Sequence, residues 1–267
     1  MQRLLPVDPD RRGAEAIPLD PAVLDALVAA EERPGRAERP WVVVNMVATA
    51  DGATEVDGVS GPIGGAADFA VFTALRAAAD VILAGSSTVT AERYRPPRGN
   101  AARQARRVAR GQAPLPRLAV VSNRGDLDLT LPMFTEAGPD RRPIVLVADG
   151  LPPPRRDELE AVADVLVAGG DRVDVRRAVQ LLGEVVGARV VLAEGGATLN
   201  GLLLGADLVD EWCVTISPQL VAGDARRAAV GAPTEVPRRL RLVRAFEHDG
   251  ELLLRYVRDL APEGGTA

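Results

Sequence analysis

Two short apolar runs in this sequence each end in a glycine turn that leads into a helical stretch, and this repeated pattern limits the folds available to the chain. Residues 190–193 precede the glycine pair 195–196, and residues 198–204 then have helical character. Residues 80–84 precede Gly85 in the same way. Such runs are typical of buried strands, and a helix after each strand favours a parallel sheet covered by helices.

The two glycine turns also indicate a ligand. Glycine lets a backbone approach a ligand closely because it has no Cβ. A helix that begins directly after a strand directs free N–H groups and the positive end of its dipole at that point, which favours an anion. The carboxyl ends of parallel strands share one edge of a sheet, so we expect both turns to contact one phosphorylated ligand. Glycines required only for tight packing are the alternative interpretation of each turn.

The rest of the chain extends the same pattern and then departs from it. Further strands are predicted at 41–48, 118–121, 144–147 and 162–167, and helices at 66–79, 155–160 and 173–186. Towards the end, strands at 208–216, 240–247 and 251–258 surround an Asp249-Gly250 turn, which predicts a hairpin. The predicted fold class is therefore α/β, with a mixed, mostly parallel sheet flanked by helices and an antiparallel C-terminal hairpin.

Composition excludes several function classes. The chain of 267 residues is 47% hydrophobic, which supports a sizeable core, and its net charge of -5 gives no reason to expect nucleic-acid binding. All 32 basic residues are arginines, so Schiff-base and P-loop lysine chemistry is excluded. Cys213 and His248 are the single cysteine and histidine, which argues against a multi-cysteine or histidine-rich metal site. We predict a buried, inert Cys213 thiol and no resident metal.

Both ends of the chain are predicted to lie outside its main domain. We predict an N-terminal extension over residues 1–40 with a short helix at 19–32, one main domain over 41–260 and a flexible tail over 261–267. The first residues lack a signal-peptide pattern, and no apolar run approaches the roughly 18 residues of a membrane span. A cytoplasmic protein without membrane association is expected.

Other polar residues sit where a ligand could contact them. Ser122, Asn123 and Arg124 follow a predicted strand and suit a phosphate monoester such as a ribose 2′-phosphate. Seven arginines between residues 93 and 112 form either a solvated surface or a cluster that neutralises phosphates. Asp68 lies in the first turn of the helix at 66–79, where an acid is favoured by the helix dipole alone.

Four motifs, spread over residues 40–259, resemble the reductase domain of riboflavin biosynthesis, the pyrimidine reductase family with a dihydrofolate-reductase-like fold. They are Thr-Ala-Asp-Gly at 49–52, Leu-Arg-Ala with the strand and turn at 75–89, Glu-Gly-Gly-Ala-Thr-Leu at 194–199, and Asp-Leu-Val-Asp-Glu at 207–211. The resemblance implies NADPH-dependent reduction of the ribosyl group of 5-amino-6-(5-phosphoribosylamino)uracil to a ribityl chain, in a homodimer.

The resemblance also implies roles for particular residues. By this resemblance, two groups of residues would contact the NADPH phosphates: Gly85, Ser87 and Thr88 of the first turn, and Gly195, Gly196, Ala197, Thr198, Leu199 and Asn200 of the second. Ser122, Asn123 and Arg124 would lie near the 2′-phosphate, and Met46 and Ala48 near the nicotinamide. Ser60, Arg76 and Glu194 would face the substrate, with Arg76 and Arg95 candidates for its phosphate. Where the family often has Asp-Asp-Pro, this chain has Ala-Glu-Arg-Tyr-Arg-Pro at 91–96.

Asp68 raises an alternative substrate. The stretch from 67 to 85 is similar to dihydrofolate reductases, in which an acid in this helical turn binds the pterin and supports its protonation. A carboxylate can bind a 2-amino-N3 edge in a bidentate manner, so Asp68 is a candidate catalytic residue together with Glu194. Hydride would reach an imine or the opened ribose C1, and the cofactor would carry the difficult chemistry. Reduction of a dihydrofolate or pteridine, and an NADPH-binding sensor without catalysis, are the alternative functions.

Overall fold

The computed structural model describes residues 1–5, 15–34, 36, 38–234 and 236–259, and these form eleven strands and eight α-helices. The strands are β1 (Gln2–Leu5), β2 (Glu15–Ala16), β3 (Trp41–Thr49), β4 (Val81–Gly85), β5 (Arg117–Val121), β6 (Ile144–Val147), β7 (Asp164–Val167), β8 (Val190–Ala193), β9 (Glu211–Ser217), β10 (Leu240–His248) and β11 (Glu251–Arg258). The helices are α1 (Pro21–Ala29), α2 (Ala66–Ala78), α3 (Ser86–Ala91), α4 (Ala101–Ala109), α5 (Pro132–Thr135), α6 (Pro153–Val162), α7 (Val175–Glu184) and α8 (Ala197–Gly205).

All eleven strands belong to one sheet, in the order β2-β1-β10-β11-β9-β3-β8-β4-β5-β6-β7. The run from β9 to β7 is parallel, and β11, β10, β1 and β2 extend it in antiparallel pairing. β4 and β6 are apolar along their length because helices cover both faces of the sheet there. The predicted fold class, a mixed and mostly parallel sheet with an antiparallel C-terminal hairpin, is confirmed.

The N-terminal segment adds strands that the sequence did not predict. β1 pairs with β10 and β2 pairs with β1, so the first residues extend the antiparallel edge of the sheet. The helix expected at 19–32 is α1, whose N-cap Asp20 accepts hydrogen bonds from the backbone of Ala22 and Val23. Residues 6–14 of the extension and the tail at 261–267 lie outside the described residues.

Helix α2 presents a different face to the core from the one marked by its aromatic residues. The helix buries Ala67, Val71, Ala74 and Leu75 against the sheet, whereas Phe69 is 68% exposed. The small and branched residues allow close packing on β9 and β11, so the bulkier aromatic rings turn towards solvent and a neighbouring cavity. The helix therefore serves two surfaces, the core through its small residues and the cavity side through its aromatic residues.

The structure also bears on the predictions for Cys213 and for the terminal hairpin. Cys213 is a buried free thiol whose pKa burial raises, as expected for an inert position. Asp249 and Gly250 form the turn between β10 and β11, which confirms the predicted hairpin. Within the described part of the chain, no helix combines the length and hydrophobicity required to span a membrane.

Candidate functional site

A cavity of about 930 Å³ opens between α2, the carboxyl ends of the central strands and the loop after α3. It brings together many of the residues predicted to form a site. These are Met46, Ser60, Asp68, Arg76, Ser87, Thr88, Arg95, Glu194, Gly196 and Ala197. Seven arginines and four carboxylates line it, so the cavity is basic in overall charge, as a phosphorylated ligand requires.

The two glycine turns touch each other at one end of this cavity. β4 and β8 are neighbours in the sheet, and the Gly85 N–H donates to the Gly195 carbonyl at 2.8 Å. Gly195 has a φ of +90°, a conformation that favours glycine. A Cβ on Gly196 would lie 2.7 Å from Thr88 Oγ1, so glycine is required there for close approach. The expected proximity of the two turns is confirmed.

The first residues of α8 divide into cavity-facing and structural positions. Ala197 lines the cavity, Thr198 is exposed and Leu199 packs into the core. Asn200 is fully buried, and its Nδ2 donates to the Ala228 carbonyl at 2.8 Å. Asn200 Oδ1 is a buried acceptor that receives no hydrogen bond from the described residues. An unpaired buried acceptor beside the glycine turn is a suitable contact for a ligand that carries donors.

Met46 and Ala48 occupy different surroundings although both lie on β3. Met46 lines the cavity, and its Sδ lies 3.3 Å from the position that a Cβ on Gly195 would take. Ala48 is buried and lines a second cavity of about 620 Å³ together with Trp212. Met46 is therefore within reach of a ligand seated on the glycine turns, whereas Ala48 borders the second cavity and not the first.

Ser122, Asn123 and Arg124 follow β5, away from the residues that line the first cavity. Ser122 is buried and its N–H donates to Leu146. Asn123 Oδ1 accepts from the Val173 N–H at 2.8 Å, which ties this loop to the start of α7. Arg124 is exposed, and within the described structure no ion pair holds its guanidinium. Of the three, Arg124 is the charged side chain, and it is available to a ligand.

Arg76, Glu194 and Tyr94 form a fixed polar group in the cavity wall. Arg76 makes two hydrogen bonds to Glu194, Nε to Oε1 at 2.7 Å and Nη2 to Oε2 at 2.6 Å. The Tyr94 hydroxyl donates to Glu194 Oε2 at 2.8 Å. The Arg76 guanidinium also lies 4.3 Å from the ring centre of Phe72 and 5.5 Å from that of Tyr94. Glu194 therefore orients Arg76, and its own oxygens are already engaged.

Electrostatics in this group follow from burial and pairing. Burial alone would lower the pKa of Arg76, but the adjacent Glu194 carboxylate raises it above its usual value. Burial and the same carboxylate raise the pKa of Tyr94 well above its usual range, so its hydroxyl stays protonated and can donate. The pair of Arg76 and Glu194 carries no net charge, which suits an uncharged polar part of a ligand better than a phosphate.

Ser60 and Arg95 also have partners within the protein. The backbone N–H and the hydroxyl of Ser60 both donate to Glu92 Oε1, at 2.8 and 2.9 Å. Arg95 and Arg98 both pair with Glu136. Both arginine side chains are more than half exposed, so a phosphate could compete with Glu136 for them.

The remaining arginines of the 93–112 cluster are mostly structural. Arg103 and Arg106 pair with the buried Asp25 of α1. Arg107 is buried and donates to the carbonyls of Ala77 and Ala79, at the end of α2. A cation is favourable at a helix C-terminus, where carbonyl groups lack intrahelical partners. Most of the cluster therefore anchors α4 and contributes little to ligand binding.

Asp68 faces the cavity from the first turn of α2. Burial raises its pKa to about 6, the nearby charge of Glu251 adds to this rise, and a hydrogen bond with Thr215 opposes it. A carboxyl with such a pKa can hold a proton near neutral pH and release it, which is the property of a general acid or base. Its location supports the expectation that it contacts a substrate.

Four residues of this site escaped the sequence analysis: Phe72, Glu92, Tyr94 and Glu251. Phe72 lies in the predicted helix at 66–79, and Glu92 and Tyr94 lie in the stretch that departs from the family pattern. That departure was the one sequence signal at these two positions. Glu251 follows the Asp249-Gly250 turn, and no sequence pattern marked it as a site residue. The described residues contain no cluster of three or more histidine, cysteine or acidic side chains that could hold a metal.

Comparison with known proteins places this geometry among reductases. The family model of the RibD C-terminal domain matches residues 40–254. A 2,5-diamino-6-ribosylamino-4(3H)-pyrimidinone 5′-phosphate reductase of Methanothermobacter thermautotrophicus is 32% identical over 223 residues, 82% of this chain and 98% of the relative. A protein of the same name from Archaeoglobus fulgidus is 31% identical over 69% of this chain and 83% of its own length.

A solved structure shows the same fold. The pyrimidine reductase-like protein of Corynebacterium diphtheriae superimposes with a TM-score of 0.75 at 23% identity. The match covers 82% of this chain and 92% of that protein. The arrangement of the sheet and its helices is therefore shared with a known structure.

Proposed function

Because the chain belongs to the family of the RibD C-terminal domain, we propose that it reduces a ribosylaminopyrimidine 5′-phosphate in riboflavin biosynthesis. The enzyme class is that of an oxidoreductase, as the names of the two archaeal relatives state for those proteins. One observation carries the proposal: a single basic cavity joins the paired glycine turns to a wall formed by Asp68, Arg76 and Glu194. This arrangement supports an anion-binding end at the glycine turns and a polar, proton-holding end at Asp68 within one cavity.

The reaction implies a nicotinamide cofactor, and the glycine turns fit its phosphates. Gly196 leaves no room for a Cβ, and Ser87 and Thr88, whose hydroxyl groups can donate to phosphate oxygens, line the cavity beside it. When bound, the cofactor supplies the hydride for the reduction. The residues of the turns bind and orient it, and Met46 borders the same end of the cavity.

We further propose that the cofactor is NADPH, with Arg124 selecting the 2′-phosphate. Arg124 is exposed and has no ion pair among the described residues, so it can bind a phosphate without breaking an existing contact. Arg124→Ser is expected to weaken NADPH binding at least tenfold and to leave NADH binding within about twofold, measured by cofactor fluorescence. Equal losses for the two cofactors would contradict this role.

Asp68 and Glu194 differ in the roles they can take. Glu194 already accepts hydrogen bonds from Arg76 and Tyr94, so it acts by positioning Arg76 for the substrate. Asp68 is the carboxyl that can exchange a proton in the cavity, and we assign it the contact with the pyrimidine or with the nitrogen at the reacting carbon. The exposed Arg95 is assigned to the substrate phosphate, in exchange with Glu136.

The decisive experiment mixes purified protein with NADPH and each candidate substrate and follows the nicotinamide absorbance. Oxidation with either the diaminopyrimidinone or the uracil ribosylamine phosphate supports the proposal, and the faster substrate identifies the physiological form. Oxidation of NADPH with dihydrofolate alone would reject the proposal and indicate a folate reductase. Tight NADPH binding without turnover on any of these substrates would indicate a sensor and reject catalysis.

We also propose a homodimer through one face of the antiparallel strands. α2 packs on the face of β9 and β11 that carries Cys213 and Leu253. The opposite face carries an apolar ladder of six partly or fully exposed side chains, Trp212, Val214, Ile216, Leu252, Leu254 and Tyr256. A contiguous apolar surface of this kind is typical of a protein interface, and a second copy presents a matching one.

A further inference from the structure

A pair of carboxyl groups lies where α2 meets the C-terminal hairpin. Asp68 belongs to the first turn of α2, and Glu251 is the first residue of β11. Thr215 of β9 pairs with Leu253, so Thr215 and Glu251 lie on the same face of the sheet, the face against which α2 packs. Asp68 lines the cavity, whereas Glu251 is 5% exposed and lies behind it.

Two consecutive glycines press against these carboxyl groups. A Cβ on Gly64 would lie 2.2 Å from Asp68 Oδ2, and one on Gly65 would lie 2.8 Å from Glu251 Oε2. The Gly65 N–H donates to Glu251 Oε1 at 2.7 Å. The Gly65 N–H therefore holds Glu251, and a Cβ on either glycine would displace one of the two carboxyl groups.

Within the described structure, neither Asp68 nor Glu251 forms an ion pair with an arginine. The other buried acids all do. Asp25, Asp210 and Glu211 each bind two arginines. Glu194 binds Arg76. The groups that act on Asp68 are the Thr215 hydroxyl from β9 and Glu251 from β11, and only Glu251 is charged.

Two neighbouring carboxyl groups, one of them buried and neither paired with a cation, resist ionising together, because the second charge is repelled by the first. The Gly65 N–H donates to Glu251, while burial and the charge of Glu251 both favour a proton on Asp68, which faces the cavity. We propose that Asp68 and Glu251 share one proton and that Glu251, a positioning residue, keeps it on Asp68 for delivery to the substrate.

The proton balances the reduction, and this role rests on the proposed function. As the hydride from the bound cofactor forms a C–H bond at C1 of the opened ribosyl imine, the electron pair of the C=N bond moves to nitrogen. That nitrogen takes the proton from Asp68, whose O–H bond breaks and leaves a carboxylate. The product is the ribityl amine, and solvent entering the cavity restores the proton on Asp68.

The first test titrates Asp68 directly by ¹³C NMR of aspartate-labelled protein without ligands, with Asp68→Asn to assign the signal. Asp68 should titrate near pH 6 in the native chain. In Glu251→Gln, which retains an oxygen acceptor for the Gly65 N–H, the midpoint should fall by about one pH unit, a tenfold change in proton affinity. Glu247→Gln, on the same hairpin but on the opposite face, should leave the midpoint unchanged. An Asp68 midpoint that is the same in all three chains would overturn the shared proton.

The second test measures the pH dependence of single-turnover NADPH oxidation. A required proton donor makes the rate fall as pH rises through the pKa of Asp68, and Glu251→Gln should move this fall to lower pH by the shift seen in the NMR titration. At pH 7.5 the variant should then be about tenfold slower, with unchanged NADPH affinity. If Glu251→Gln shifts the NMR midpoint of Asp68 but leaves the pH dependence of the rate unchanged, proton delivery by Asp68 is rejected. Absence of turnover in the native chain rejects the proposed function instead, and the NMR titration still decides the shared proton.

Discussion

At the scale of single residues, the site depends on two kinds of close contact. One is a backbone position with no room for a Cβ, and the other is a side-chain hydrogen bond between distant segments. Gly196 illustrates the first case, because Thr88 Oγ1 occupies the space that a Cβ would need. Tyr94 illustrates the second, because its hydroxyl meets the carboxylate that already holds Arg76. Both contacts join segments far apart in sequence, so neither could be recognised from local patterns.

Gly196→Ala should destabilise the protein by about 1–3 kcal/mol through overpacking against Thr88. Gly138→Ala is the matched control, because Gly138 precedes a helical turn with a similar φ of -71° and no atom lies within 4 Å of its Cβ position. Urea unfolding measures both changes. Adding Thr88→Ala to Gly196→Ala should recover most of the loss, and a failure to recover it would show that the strain lies elsewhere.

Tyr94→Phe should cost about 1 kcal/mol of stability, the net contribution of one hydrogen bond. Loosening of Arg76 should also raise KM for the pyrimidine several-fold, while the NADPH affinity stays as it is because the glycine turns are untouched. Steady-state kinetics with a parallel fluorescence titration separates the two effects. An unchanged KM would exclude Arg76 as a substrate contact.

At the scale of elements, a buried ionic network attaches the segment after α1 to the sheet. Arg33 reaches Glu211 of β9, which also binds Arg255 of β11. Arg36 and Arg39 bind the neighbouring Asp210. Glu211 is fully buried, so removal of its charge would leave arginines without a counter-ion in a region of low dielectric constant.

Glu211→Gln should therefore lower the free energy of unfolding by about 3–5 kcal/mol. Glu184→Gln is the control, because its pair with Arg177 is exposed and should contribute under about 1 kcal/mol. Burial alone would raise the pKa of Glu211, but Arg33 and Arg255 lower it to about 2.

The lowered pKa of Glu211 makes stability depend on pH in a defined direction. The folded value of about 2 lies below the ordinary 4.5, so the stabilisation is complete above pH 4.5 and is lost as pH falls towards 2, by about 3 kcal/mol in all. In Glu211→Gln this part of the acid dependence should disappear from urea unfolding series. An identical acid dependence in both chains would argue against the network.

At the scale of the whole molecule, one sheet serves two purposes. Its parallel part presents the glycine turns at the cavity, and its antiparallel part buries α2 on one face and presents an apolar ladder on the other. The proposed dimer would cover that ladder and leave the cavity accessible, because α2 and the cavity lie on the opposite face of β9 and β11.

Leu252→Glu should convert the dimer to a monomer, because it places a charge on the end rung of the apolar ladder, where Leu252 pairs with Ile216. Leu252 is 37% exposed in the single chain, and Val185, at the end of α7, is 60% exposed and lies outside the ladder. Val185→Glu should therefore remain dimeric. Light scattering coupled to size-exclusion chromatography distinguishes the two, and a native chain that is already monomeric would reject the dimer.

The sequence by itself determined the α/β class, the strands before the glycine turns and the terminal hairpin, because periodicity, glycine and chain polarity act over a few neighbouring residues. It also carried the motifs from which the reductase family could be recognised. Only the tertiary structure decided the partners of charged side chains: Glu194 with Arg76 and Tyr94, Ser60 with Glu92, and Asp68 beside Glu251. The physical reason is that burial and Coulomb interactions depend on distance in space, which a linear pattern of residues does not contain.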